Sequence, residues 1–329
     1  MGIVIQKYGG TSLRNINEPS YILTHVKKCI DEGNKLVVVV SAIGRKGEPY
    51  ATDTLIEQLE KVNKNINPKK KDMIMSCGET ISASIVSHLF ESQGLPSEAL
   101  TGLQAGITTD RKFGGASILD IDVSRILKHL EDNKIVVVAG FQGGTSDLEI
   151  ATLGRGGSDT TAVALGGYLK ADRVDIFTDV PGVAIIDPDI VESTLYMEDV
   201  SYDDMYNLAN SGVGVIHPNA VLLGKEFDIP IRIRSAFSDS PGTLICRRNL
   251  IRTSKIVGIA LKDLGKIGMI TVFFNRENKE KITKELEKFL SENNEGIIET
   301  IFSDNKISII VEPDKVSYYG EKLYFYFFE

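Results

Sequence analysis

Paired metal or disulfide residues are missing from this sequence. Its three cysteines, Cys29, Cys77 and Cys246, lie far apart, and the four histidines (His25, His88, His129, His217) are equally scattered. Neither a disulfide framework nor a zinc site is readable. Positive charge is scarce too: 37 Lys and Arg stand against 45 Asp and Glu, a net charge of -8, which leaves no basic face for a nucleic-acid backbone. The one basic run, Pro68-Lys69-Lys70-Lys71-Asp72, reads as a solvated loop or helix start. No apolar run approaches membrane-spanning length, and the N-terminus enters an apolar strand with no basic region ahead of an apolar core. Nucleic acid and membrane are set aside as partners, and a cytoplasmic enzyme is expected.

What the chain does have is size and apolar content. At 329 residues, 42% hydrophobic and 25% charged, it is long enough for two domains with a large core. It is organised around residues 150–169, where Gly154, Gly156 and Gly157 surround Arg155, and Ser158 and Asp159 precede an apolar helical run. Those two are expected at the N-cap. Glycines let the backbone turn sharply and approach a ligand, and a helix start offers unpaired N–H groups, so an anion site is expected. Arg155 adds a planar donor fork for a carboxylate or phosphate; Asp159 is an acceptor for an ammonium or a magnesium-bound water. A glycine turn with an ordinary N-cap is the plainer alternative.

Three aliphatic runs end in small-residue turns. Ile3-Val4-Ile5-Gln6-Lys7 leads into Tyr8-Gly9-Gly10-Thr11-Ser12, Leu36 to Val40 into Ser41-Ala42, and Ile135 to Ala139 into Gly140-Phe141-Gln142-Gly143-Gly144. Runs without alternation suit strands buried on both faces of a parallel sheet, which gathers ligand residues at its carboxyl edge. The three turns therefore point at one crevice. It is neither a P-loop nor a dinucleotide fingerprint. Helices are expected from Pro19 to Glu32, just after Thr52 and Asp53, from Lys69 to Gln93 and from Asp120 to Glu131. Within the third, Gly78 beside Glu79 marks close packing or a ligand near that carboxylate. Val174 to Phe177 is a further strand, ending in Thr178-Asp179. From Asn249 the pattern changes to four strands, Ile256 to Leu261, Ile267 to Phe274, Ile297 to Phe302 and Ile307 to Val311, with one amphipathic helix from Glu277 to Leu290.

With these residues assembled, the chain resembles the aspartate kinases, bacterial single-function members of the amino-acid kinase family. The motifs run in order: Lys7-Tyr8-Gly9-Gly10-Thr11-Ser12, Val38-Val39-Val40-Ser41-Ala42, Thr52-Asp53, Cys77-Gly78-Glu79, Gly140-Phe141-Gln142-Gly143, Leu153 to Thr160, and Thr178-Asp179-Val180-Pro181-Gly182. The likeness covers nearly all of residues 1 to 246. It implies a three-layer α/β/α amino-acid kinase fold with a mostly parallel sheet over 1–248. Over 249–329 it implies a small ACT-like α+β regulatory or dimerisation domain, with room for little more than one of the two units usual in the family. A homodimer or larger homo-oligomer is expected through that domain.

The resemblance also implies ATP- and Mg2+-dependent phosphorylation of the side-chain carboxylate of L-aspartate, the first step towards lysine, threonine, methionine and diaminopimelate. That carboxylate, with a pKa near ~3.9, is ionised at neutral pH and needs no general base; the task is to bring two anions together with cations and backbone donors. By the same resemblance Lys7, with Tyr8, Gly9 and Gly10, holds the transferring phosphoryl group, and Asp159 orients Lys7 or the metal. Arg155 takes the α-carboxylate and Glu79 the ammonium; Ser41, Thr52, Gly156, Gly157 and Ser158 line the pocket. Thr178, Asp179, Ala184 and Asp189 fall on the nucleotide side, and no protein-borne metal-ligand set is expected. Departures from the family pattern also lie there: Ala184 replaces an aromatic residue, Asp189 an arginine and Gly214 a lysine. They keep open a kinase-like regulator without catalysis, and because fold alone does not fix substrate, a kinase for another amino acid or small carboxylate is a second alternative.

Overall fold

A computed structural model describes residues 2–14, 20–247 and 255–328. The chain forms two compact units, Met1–Pro181 with Asn219–Pro241, and Gly182–Pro218 with Gly242–Glu329. The boundary expected at 248/249 falls outside the described residues.

In the first unit six parallel strands lie in the order Ile231–Ser235, Arg173–Thr178, Ile3–Tyr8, Lys35–Val40, Ile135–Ala139, Ser97–Leu100. Side chains alternate across a strand, so each aliphatic run serves two faces. One face buries Val4, Tyr8, Val38, Val40 and Val137 against Ile22 and Val26 of helix Ser20–Asp31 and Val86 and Phe90 of helix Pro68–Ser92. The opposite face carries Ile5, Lys7 and Val39, and there helix Gly157–Tyr168 packs over Ile3–Tyr8 and Arg173–Thr178. This is the expected three-layer arrangement.

Beside it lies a small sheet of short strands, in the order Ile118–Ile121, Ile107–Thr109, Gln142–Gly144, Ile150–Thr152. It corrects two expectations. Asp120 and Ile121 belong to a strand, because Ile107–Thr109 supplies their backbone partners, and the helix begins only at Ser124. Gln142–Gly144 is likewise a strand rather than an open turn, paired with Ile150–Thr152.

The second unit has an antiparallel sheet, Ile256–Asp263, Gly268–Phe274, Lys306–Val311, Ile297–Phe302 in spatial order, with helices Lys279–Glu292 and Val316–Phe328. Ile259, Ile270, Val272, Ile282, Leu286, Ile307, Ile309 and Leu323 are buried. This fits an ACT-like α+β domain. Gly182–Pro218 and 242–247 group with these strands and contribute a parallel pair, Asp199–Ser201 with Thr243–Cys246.

Candidate active site

The strand register decides where the chemistry lies. Lys7 is level with Val39, Tyr8 with Val40, and Val40 with Ala139, so the turns after three neighbouring strands leave the sheet side by side. Above them opens a cavity of about 660 Å3, lined by Lys7, Gly10, Ser41, Thr52, Glu79 and the run from Gly154 to Asp159.

Lys7 points to the face carrying helix Gly157–Tyr168, and its Nζ lies 2.8 Å from Asp159 Oδ1, with both side chains only 13% exposed. The contact is an ion pair whose angles fall off the line of a directed hydrogen bond. Asp159 is reached because the cap is not where expected. Gly156 is the N-cap, in the left-handed region at φ 68, with no side-chain cap; Ser158 and Asp159 are already inside the first turn. A left-handed cap favours glycine, and it frees the Asp159 carboxylate to face Lys7 instead of the backbone.

Glu79 comes from the long helix, which begins at Pro68 behind an Asn67 cap. That helix is pressed tightly against the turn after Lys35–Val40. A Cβ on Gly78 would lie 2.7 Å from Ala42 Cβ and 2.8 Å from Tyr50 O, so only glycine allows the approach. The contact places Glu79 Oε1 3.1 Å from the Ala42 N–H, which donates to it, and leaves Oε2 without a partner. Glu79 is 3% exposed. Burial pushes its carboxyl from 4.5 up to about 7, against the opposing pull of the Ala42 amide. A buried carboxylate with one empty oxygen is suited to an ammonium group.

Arg155 is exposed at the cavity wall, and no carboxylate among the described residues pairs with it. Its guanidinium is available to an anion. Lys71 also lines the cavity without an ion-pair partner among the described residues, although its run reads as solvated in sequence. Of its neighbours, Lys69 pairs with Glu149 at 3.1 Å and Lys70 is exposed. Thr52 and Asp53 line the cavity from inside helix Thr52–Val62, which begins two residues earlier than expected.

A family model described as "Amino acid kinase family" matches residues 2–235. The chain belongs to the amino acid kinase family. Aspartokinase 1 of Bacillus subtilis is 44% identical over 245 residues, 74% of this chain and 61% of that protein. The aspartokinase of Geobacillus stearothermophilus is 42% identical over 264 residues, 80% of this chain and 64% of that one. This amino acid kinase chain thus spans a little over three fifths of the length of these relatives. E. coli aspartokinase III, solved in complex with aspartate and ADP, superposes with a TM-score of 0.82 over 99% of this chain and 100% of that one; at 20% identity the likeness speaks for the fold.

The other residues named for the amino acid kinase site are less uniformly placed. Tyr8 is a correction: its side chain is fully buried on the face away from the cavity, stacked on Phe177 at 4.7 Å with its hydroxyl donating to Gln6, so only its backbone borders the turn. The alternation that sends Lys7 towards the helix Gly157–Tyr168 sends Tyr8 into the core. Gly9 leaves ordinary room beside the Lys7 ammonium, whereas a Cβ on Gly10 would come within 2.4 Å of Ala42 O. Thr178 and Asp179 end the next strand but do not line the cavity; Thr178 Oγ1 donates to Asp179, which lies 3.7 Å from Arg45. Ala184 and Asp189 belong to the second unit, Ala184 bridging to Tyr196 and the Asp189 N–H donating to Asp187. Among the described residues no cluster of three or more His, Cys, Asp or Glu could hold a metal ion.

Proposed function

We propose that this chain transfers the γ-phosphoryl group of ATP to the side-chain carboxylate of L-aspartate, giving 4-phospho-L-aspartate and ADP. The observation that carries the reading is the charge pattern of one cavity: a free guanidinium at Arg155, a half-empty buried carboxylate at Glu79, and an ammonium at Lys7 held by Asp159. Arg155 and Glu79 match the two charges of a free α-amino acid. Lys7 stands at the strand end for the charge that builds up between acceptor oxygen and phosphorus. A carboxylate oxygen forms the new P–O bond, the bond to the β-phosphate oxygen breaks, and ADP leaves. The acceptor carboxylate is already ionised at neutral pH and requires no base.

Relatives named as aspartokinases, and one solved with aspartate and ADP, support the same reading. Mg2+ fits as a cation carried on the triphosphate, since such ions take few protein carboxylates, and Asp159 is the cavity carboxylate placed nearest to Lys7. Bound there, it would neutralise part of the phosphate charge. We further place the enzyme in the cytoplasm, at the first step of lysine, threonine, methionine and diaminopimelate synthesis, and assign self-association to the C-terminal unit. The test is ADP release dependent on aspartate, with hydroxylamine trapping the acyl phosphate as a hydroxamate. Absence of hydroxamate across a panel of nucleotides rules the reading out.

A further inference from the structure

Asp72 is fully buried on the helix that carries Glu79, seven residues before it and therefore on the same stripe two turns away. Its Oδ2 accepts two backbone N–H groups from two different segments, Gly114 at 2.9 Å and Thr152 at 2.8 Å. Those segments are also joined to each other, the Ala116 N–H donating to Thr152 O at 2.8 Å. Arg155 follows Thr152 by three residues. Between them Gly154 turns through φ 73, and a Cβ there would be in van der Waals contact with Gly114 O at 3.4 Å. One carboxylate oxygen thus grips both the chain leading into the Arg155 turn and the chain backing it.

We propose that Asp72 is a positioning residue for acceptor recognition: it fixes the Arg155 turn to the Glu79 helix, and so sets the distance between the groups that read the carboxylate and the ammonium of an α-amino acid. This rests on the acceptor reading given above. A charged acceptor makes stronger hydrogen bonds to amides than a neutral one, and in a dry interior both donors would be stranded without it. The second oxygen, Oδ1, has no partner. Among the described residues no ion pair reaches this carboxyl, and the Gly114 and Thr152 amides are its hydrogen-bond partners.

The experiment compares wild type with Asp72→Asn by steady-state kinetics, varying each substrate, with succinate and β-alanine as competitive inhibitors. Succinate lacks the ammonium and β-alanine the α-carboxylate. Misplacing Arg155 should raise KM for aspartate about tenfold or more, weaken succinate by a similar factor, and leave β-alanine and KM for ATP within about twofold. An unchanged KM for aspartate with a lowered melting temperature would show Asp72 to be structural only and overturn the inference. If Asp72→Asn does not fold, amide exchange on wild type decides: the Thr152 and Gly114 amides must be protected before any substrate is added, and rapid exchange overturns the proposal. Wild type that forms no hydroxamate with aspartate takes both readings down; wild type that does, beside an indifferent Asp72→Asn, removes this one alone.

Discussion

The two sheets of this protein handle their surfaces in opposite ways. In the parallel sheet Val37, Val38, Val39 and Val40 are all 0% exposed, whereas the outer strand of the antiparallel sheet leaves Ile298, Ile301 and Phe302 roughly half open to solvent. A parallel sheet covered by helices on both faces has only its carboxyl edge left for polar chemistry, and there the turns bearing Gly10, Ser41 and Phe141 converge. An antiparallel sheet with an open outer strand has a row of unpaired backbone groups and apolar side chains to offer to another chain. The proposed phosphoryl transfer and the proposed self-association thus fall on different units.

The sharpest way to break that division is at Lys7. Removing its ammonium from a preorganised phosphoryl site should lower turnover by about a hundredfold or more, with far-UV circular dichroism unchanged. Near-normal turnover in Lys7→Ala would make it a strand-end surface residue and empty the carboxyl edge of its function.

Next comes Arg155→Lys, which keeps the charge and loses the planar fork. KM for aspartate should rise about tenfold while KM for ATP stays put. An effect on ATP instead would move the acceptor pocket elsewhere.

Glu79 is expected to act on pH dependence as well as on affinity. With its folded carboxyl at about 7, KM for aspartate should fall as the pH rises through about 7, because only the ionised form holds the ammonium. Glu79→Gln should show a weak, pH-flat KM. Stability runs the other way. Folding raises this group from 4.5 to about 7, so the native state binds the extra proton in that interval, and stability present below 4.5 is lost as the pH climbs through about 7. At about 1.4 kcal/mol per tenfold the loss is about 3 kcal/mol, so Glu79→Gln should gain in melting temperature on wild type between pH 5 and pH 8. Parallel melting curves would contradict the burial argument.

The smallest effect on turnover is expected in the tail. Ile301→Lys, on the outer strand, should leave kcat within about twofold and shift the sedimentation of the protein towards a smaller species. A kcat loss on the scale of Lys7→Ala would show that the two units do not divide the work.

Much of this was legible in sequence, for identifiable reasons. Unbroken aliphatic runs mark the parallel strands, and the glycine turns after them mark the edge, so Lys7 and Ser41 could be placed at one crevice before any coordinates, while the family resemblance joined Glu79 and Arg155 to it. What escaped depends on facing and on short range. Nothing in Lys69-Lys70-Lys71-Asp72 tells which lysine turns inward or that the aspartate is fully buried. Strands of three residues, such as Gln142–Gly144 and Ile150–Thr152, are too short to show alternation. Ser158 and Asp159 look like caps until a left-handed Gly156 takes that place. Helix Val316–Phe328 buries Val316, Tyr319, Gly320, Leu323 and Tyr324 at helical spacing, but the neighbouring Tyr318, Phe325, Tyr326 and Phe327 are aromatic too, so the period is hidden in the sequence.

The empty oxygen of Glu79 has a consequence for heat as well as for specificity. With the Glu79 carboxyl raised to about 7, the proposed binding of an ammonium there should release part of a proton into the solvent near neutrality. The enthalpy of aspartate capture should therefore depend on the buffer that absorbs the proton, differing between phosphate and Tris by the fraction released, and the difference should vanish once Glu79 is made a glutamine.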